Sequence, residues 1–171
     1  MNFDVAFERV VGHEGKFQDI HADRGNWTSG VVGVGELKGT KYGISAMAYP
    51  HLDIKNLTLY QAKEIYRRDY WDRGKLGELD PGFAFQVFDA QVNHGPGNAI
   101  RFLQRAVGVT DDGSVGRLTL AAIKAMTVTD LVMNFNAERL EFITRLEKFK
   151  QFGAGWVNRV AGNLRYGAQD T

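Results

Sequence analysis

The chain has 171 residues, 44% of them hydrophobic and 24% charged, with a formal net charge of only +1 and no cysteine. That length suits one domain with a full core, and the near-balanced charge lacks the basic stripe of a nucleic-acid binder. The absence of cysteine excludes a disulfide framework, a thiolate metal site and a Cys/His peptidase, and it points to folding in a reducing compartment.

The opening run, MNFDVAFERVVGHEG, lacks the basic start and apolar stretch of a signal peptide, and no window is long enough to span a bilayer, so no stable membrane insertion is expected. Phe3, Phe7, Val10 and Val11 recur at helical spacing and predict a first helix over 3–13. In the glycine-rich stretch that follows, Val31, Val32 and Val34 predict a short β-hairpin. Thr58 followed by Gln61 forms a capping-box pattern that opens a helix to about Asp72. Shorter helices are predicted over 84–94 and 98–107, parted by Gly95-Pro96-Gly97, and over 116–126. The longest helix is expected over 129–151, with Leu131, Phe135, Phe142, Leu146 and Phe149 on one face and Glu141 paired to Arg145. The tail from Gly153 reads as a packed end-piece. The class is α+β, mostly helical, with a small β-hairpin region near the N-terminus. With no repeat or linker, residues 1–171 are read as one compact domain.

The first helix carries the strongest chemical signal. Glu14 lies three and four residues after Val11 and Val10, so it continues the apolar stripe, and Gly15 ends the helix just behind it. Burial and the negative end of the helix dipole both raise a carboxyl pKa. A carboxyl protonated near neutral pH is what a general acid for glycoside cleavage needs. The same position also suits a surface glutamate at a fraying helix end. Asp23 follows Glu14 by nine residues, across a loop that could turn it back toward Glu14, and inverting glycosidases hold such a pair roughly 6.5–9.5 Å apart. Asp23-Arg24-Gly25 equally reads as a turn.

Other candidates have simpler readings beside the functional ones. Tyr42, Tyr49, Tyr70 and Trp71 have rings suited to stacking on sugars, or to the core. Asn93 and His94 end a helix and suit either ligand binding or capping. Asp89 reads as an arginine partner. The four histidines show no H-x-x-x-H or H-E-x-x-H spacing, Asp111-Asp112-Gly113 reads as a turn, and no serine sits in a G-x-S-x-G elbow, so neither metal nor cofactor is expected.

Three runs, His13-Glu14-Gly15-Lys16-Phe17, Asp23-Arg24-Gly25 and Thr40-Lys41-Tyr42-Gly43-Ile44-Ser45, together resemble the glycoside hydrolase family 108 muramidases, which include phage endolysins. The segments Ile65–Trp71, Phe88–Gly95 and Asp112–Gly116 continue the likeness along nearly the whole chain. The resemblance implies a lysozyme-like fold, with a motif-bearing part over 1–94 and a peptidoglycan-binding-like part over 95–171. It also implies cleavage between N-acetylmuramic acid and N-acetylglucosamine, Glu14 as the catalytic acid, and Asp23 with Thr40 as its partners. Tyr42, Tyr49, Tyr70, Asn93 and His94 would bind glycan. Two departures stand out: Lys16 and Phe17 replace Gly and Tyr of the family motif, and residues 26–39 read as an insertion, which lets Thr28 compete with Thr40. A monomer is expected that accumulates in the host cytoplasm and reaches periplasmic peptidoglycan through a separate holin-like protein. A lytic transglycosylase, which needs no activated water, and a non-catalytic wall-binding virion component are the other readings.

Overall fold

The computed structural model describes residues 2–12 and 15–170, which divide into two compact units, Phe7–Arg68 and Met1–Ala6 with Asp69–Thr171. Among the described residues there are seven α-helices and one two-stranded sheet. None of the described helices is long and apolar enough to cross a membrane.

Helix α1 (Phe3–Val11) starts where its apolar spacing predicts and gives way at Gly12, whose φ is +56°. His13 and Glu14 lie outside the described residues.

Within residues 7–68 the core forms around Phe7, Ile44, Ile54 and Tyr66, with Phe7 set edge-on to Tyr66 at 5.6 Å. The predicted strand at Val31, Val32 and Val34 is corrected here. These residues lie in turns at 43–55% exposure, and Gly30, Gly33 and Gly35 between and around them have positive φ. Left-handed glycines at that spacing break any extended run. A single bridge, Trp27 to Leu37, closes the loop behind them. The sheet forms further on, where β1 (Thr40–Lys41) pairs antiparallel with β2 (Ile44–Ser45), Thr40 opposite Ser45. The two-residue turn, Tyr42-Gly43, has positive φ at both positions, as a type I′ hairpin requires.

Helix α2 (Leu59–Tyr66) opens on the expected capping box: Thr58 Oγ1 accepts from the Gln61 amide, and Gln61 Oε1 accepts from the Thr58 amide. Residues Arg67–Asp72 continue it as π-helical turns, to the predicted end.

Within residues 69–170, helix α3 (Pro81–His94) is buried on every side from Gly82 to Gln91. It starts three residues before the predicted point because Asp80 caps it and Pro81 fits its first position. Helices α4 (Pro96–Ala106), α6 (Val128–Thr144) and α7 (Phe149–Asp170) all pack on α3. Between α4 and α6 lies α5 (Arg117–Lys124). Phe3, Trp71 and Phe88 form a cluster of edge-on rings 5.6–5.8 Å apart.

The single long helix predicted over 129–151 is also corrected. It ends at Thr144, the chain turns through Arg145–Lys148, and α7 is the longest helix at 22 residues. No proline or glycine marks the break. Its cause is tertiary: Arg139 of α6 and Arg159 of α7 both bond the one buried carboxylate of Asp89. Twenty residues of unbroken α-helix would hold those two about 30 Å apart.

Candidate active site

Each unit carries part of the predicted site. In residues 7–68, Asp23 is exposed and caps the short turn Arg24–Asn26, its Oδ1 accepting from the Gly25 amide at 2.9 Å. That turn places Asn26 in the interior, fully buried. Asn26 donates through Nδ2 to the Ile20 carbonyl (3.1 Å), and its own carbonyl accepts from the Lys38 and Gly39 amides. Its Oδ1 accepts from the Thr40 hydroxyl at 2.7 Å. Thr40 is held on its main chain as well, exchanging two hydrogen bonds with Gln18 at 2.8 and 2.9 Å. The turn capped by Asp23 and the strand bearing Thr40 therefore share one buried anchor.

Thr28 has a different setting. Its Oγ1 accepts from the Glu36 amide at 3.0 Å and its amide donates to the Glu36 carbonyl, so it closes the 27–37 loop on itself. Sequence reasoning missed Asn26, because an asparagine among glycines in a loop looks like any turn former. Trp27 beside it is 8% exposed, donates its Nε1 to the His21 carbonyl at 2.8 Å and stacks edge-on with the His21 ring.

Tyr42 adopts φ +52°, an uncommon backbone state for a residue with a Cβ. Its carbonyl accepts from the Tyr66 hydroxyl at 3.0 Å, and its ring lies so close to Gly15 that a methyl group there would overlap it. The described residue next to Glu14 thus abuts a ring expected to bind glycan. Tyr49 is half-buried in the turn after β2, its amide bonded to the Ser45 carbonyl. In the same unit, Phe17, Lys38 and Ile54 help line a cavity of about 510 Å³.

In residues 69–170, Tyr70 is half-buried within the π-helical turns. Asn93 donates to the Asp89 carbonyl and Oδ1 at 2.7 and 3.3 Å. His94 Nε2 accepts from Arg139 Nε at 2.9 Å, and its ring sits edge-on to Phe102 and Phe142. Burial, then the Arg139 charge, push the His94 pKa down to about 4, so the imidazole is neutral in ordinary buffers. The centre of this network is Asp89, 1% exposed, bonded by Arg139, Arg159 and Asn163 at 2.5–2.8 Å. Burial pushes its pKa up, but the two guanidinium groups outweigh that and leave it lowered. Asp89 is thus an arginine partner, as its sequence position suggests, and Asn93 and His94 are built into the same network. Among the described residues, no group of three or more His, Cys, Asp or Glu is placed to hold a metal ion.

Comparison with known proteins gives this arrangement its context. The family model described as Glycosyl hydrolase 108 matches residues 7–95, and the one described as Predicted Peptidoglycan domain matches residues 98–161. The structure of Brucella abortus SagA resembles the chain at a TM-score of 0.82 and 29% identity, covering 98% of this chain and 94% of that one. Among curated proteins none matches. Fold and family match define a glycoside hydrolase of mostly helical, lysozyme-like type. The chain belongs to the glycosyl hydrolase 108 family and, with its peptidoglycan-domain match, is a peptidoglycan hydrolase.

Proposed function

We propose that the protein is an N-acetylmuramidase that hydrolyses the bond between N-acetylmuramic acid and N-acetylglucosamine, with Glu14 as general acid. The observation that carries this reading is the family match across residues 7–95, which includes Glu14, Asp23 and Thr40. Glu14 donates its proton to the leaving glycosidic oxygen as the bond breaks. Asp23 accepts a proton from the attacking water; its Oδ1 is committed to Gly25, so the second oxygen meets the water. Thr40 gives its hydroxyl hydrogen to Asn26 and keeps its lone pairs to accept a hydrogen bond from the same water. That supports Thr40 over Thr28, whose hydroxyl serves the loop. Water attacking opposite the leaving group inverts the anomeric centre. Within residues 7–68, Tyr42 and Tyr49 offer ring faces to the glycan.

The biological setting that fits the phage members of the family is lysis of a host wall from within, by a monomer released through a separate holin-like protein. Expression in the cytoplasm with and without a membrane pore tests this: lysis should need the pore. Mass spectrometry of digested peptidoglycan tests the chemistry. Reducing N-acetylmuramic acid ends are expected, and 1,6-anhydro ends would show a lytic transglycosylase instead. Wall binding with no cleavage would leave only a binding component.

A further inference from the structure

Within residues 69–170 a cavity of about 440 Å³ lies between α3, the start of α4 and the 113–115 turn. It falls where the two family matches abut: Gln91 comes from the first, Ile100 and Val115 from the second. Its volume is in the range of small-ligand sites. Gln91 is 1% exposed, and its Nε2 has no hydrogen-bond partner. The amide lies against Gly74 on the cavity wall, where an added Cβ would come within 2.7 Å of Nε2. A buried donor left unpaired is costly, and each such group in a folded protein calls for an explanation.

The other walls also present donors. Helix α4 begins at Gly95-Pro96 with no side-chain cap, and Asn98 turns its Nδ2 back to the His94 carbonyl. The N-terminal end of α4, where the helix dipole is positive, forms this end of the cavity through Pro96 and Gly97. Arg73 lines it, and the Arg101 guanidinium sits beside both Gly97 and Gly113, 3.5–3.6 Å from where their Cβ atoms would be. The nearby acid, Asp112, spends its Oδ1 on Gln104 Nε2 and the Ser114 amide. Buried Gln104 also accepts from the Gly113 amide and donates to the Ser114 carbonyl, so the turn is fixed before any ligand arrives. Pro96, Ile100 and Val115 add an apolar side that suits a methyl group.

We propose that this cavity binds the carboxylate end of a peptidoglycan stem peptide, the short arm that hangs from the glycan and ends in D-alanine. The donors take the carboxylate and the apolar side takes the alanine methyl. The proposal rests on the peptidoglycan hydrolase reading but adds a second recognition point, for the peptide rather than the sugar.

The test is a titration of ¹⁵N-labelled protein with a synthetic stem tetrapeptide ending in D-alanine, beside the same peptide as its C-terminal amide. Saturable shifts are expected at the Gln91 side-chain NH₂ and the Gly97 and Gly113 amides, with the amide form about tenfold weaker. Gln91→Leu should weaken the acid form by a similar factor. Its thermal midpoint should not fall, since it removes an unpaired buried donor. No shift at these groups with millimolar peptide, or equal binding of acid and amide, would overturn the proposal even if the variant failed to fold. Hydrolysis of glycan strands stripped of peptide, measured in parallel, separates the two claims. Cleavage without peptide binding sinks the peptide site alone, and peptide binding without cleavage sinks the hydrolase reading alone.

Discussion

Asp89 accepts hydrogen bonds from side chains on two helices other than its own, and little of its charge reaches solvent. Removing one member of such a buried pair leaves the others uncompensated. Asp89→Ala should therefore cost about 3–5 kcal/mol of stability, against less than about 1 kcal/mol for Asp111→Ala at the exposed Arg105 pair. Denaturant midpoints would check both. His94 adds a pH dependence of definite sign. Its unfolded form takes up a proton near 6.5, its folded form only near 4, so acidification through that window favours unfolding. Thermal midpoints should fall from pH 6.5 toward pH 4, and His94→Gln, which keeps an acceptor for Arg139, should flatten that fall. An unchanged slope in the variant would contradict the assignment. At the site itself, Thr40→Ala should lower kcat by about 10–100-fold, whereas Thr28→Ala should leave it within about twofold. Thr58 and Asp89 could be read in the sequence because their partners lie at fixed helical offsets or follow from charge. Asn26 could not, since its value comes from Ile20, Lys38 and Thr40, brought around it only by the folded loop.

At the scale of elements, local signals placed helix starts well and tertiary breaks badly. Phe3 and Thr58 marked real boundaries, and Gly95 parts α3 from α4, although α4 starts at Pro96, two residues before the expected point. The reversal at Arg145–Lys148 had no such mark. The residues there favour helix, and what opposes it is tertiary: the shared hold of Asp89 on α6 and α7 and the packing of α7 on α3, where Gln86 donates to the Asn163 carbonyl. The valine loop erred the other way: β-branched residues suggested a strand, but the glycines set among them turned the chain outward. Replacing Val31, Val32 and Val34 together by threonine should then change stability by less than about 1 kcal/mol. A hairpin packed on a core would lose several times that, which thermal melts would reveal.

For the molecule as a whole, class and activity were legible because the motifs recur in order along most of the chain, and the family match bears this out. The peptide cavity was not legible. Gln91, Arg73 and the 113–115 turn are far apart in sequence, and nothing in their spacing announces a shared wall. Glu14 stands at the centre of the proposed chemistry, and Tyr42 abuts its neighbour Gly15. The most direct measurement is the wall-lysis rate of Glu14→Gln, with its thermal midpoint recorded alongside. General-acid catalysis by Glu14 predicts a folded variant slowed by about 10²–10⁴-fold; a folded variant that clears walls at the wild-type rate would contradict it.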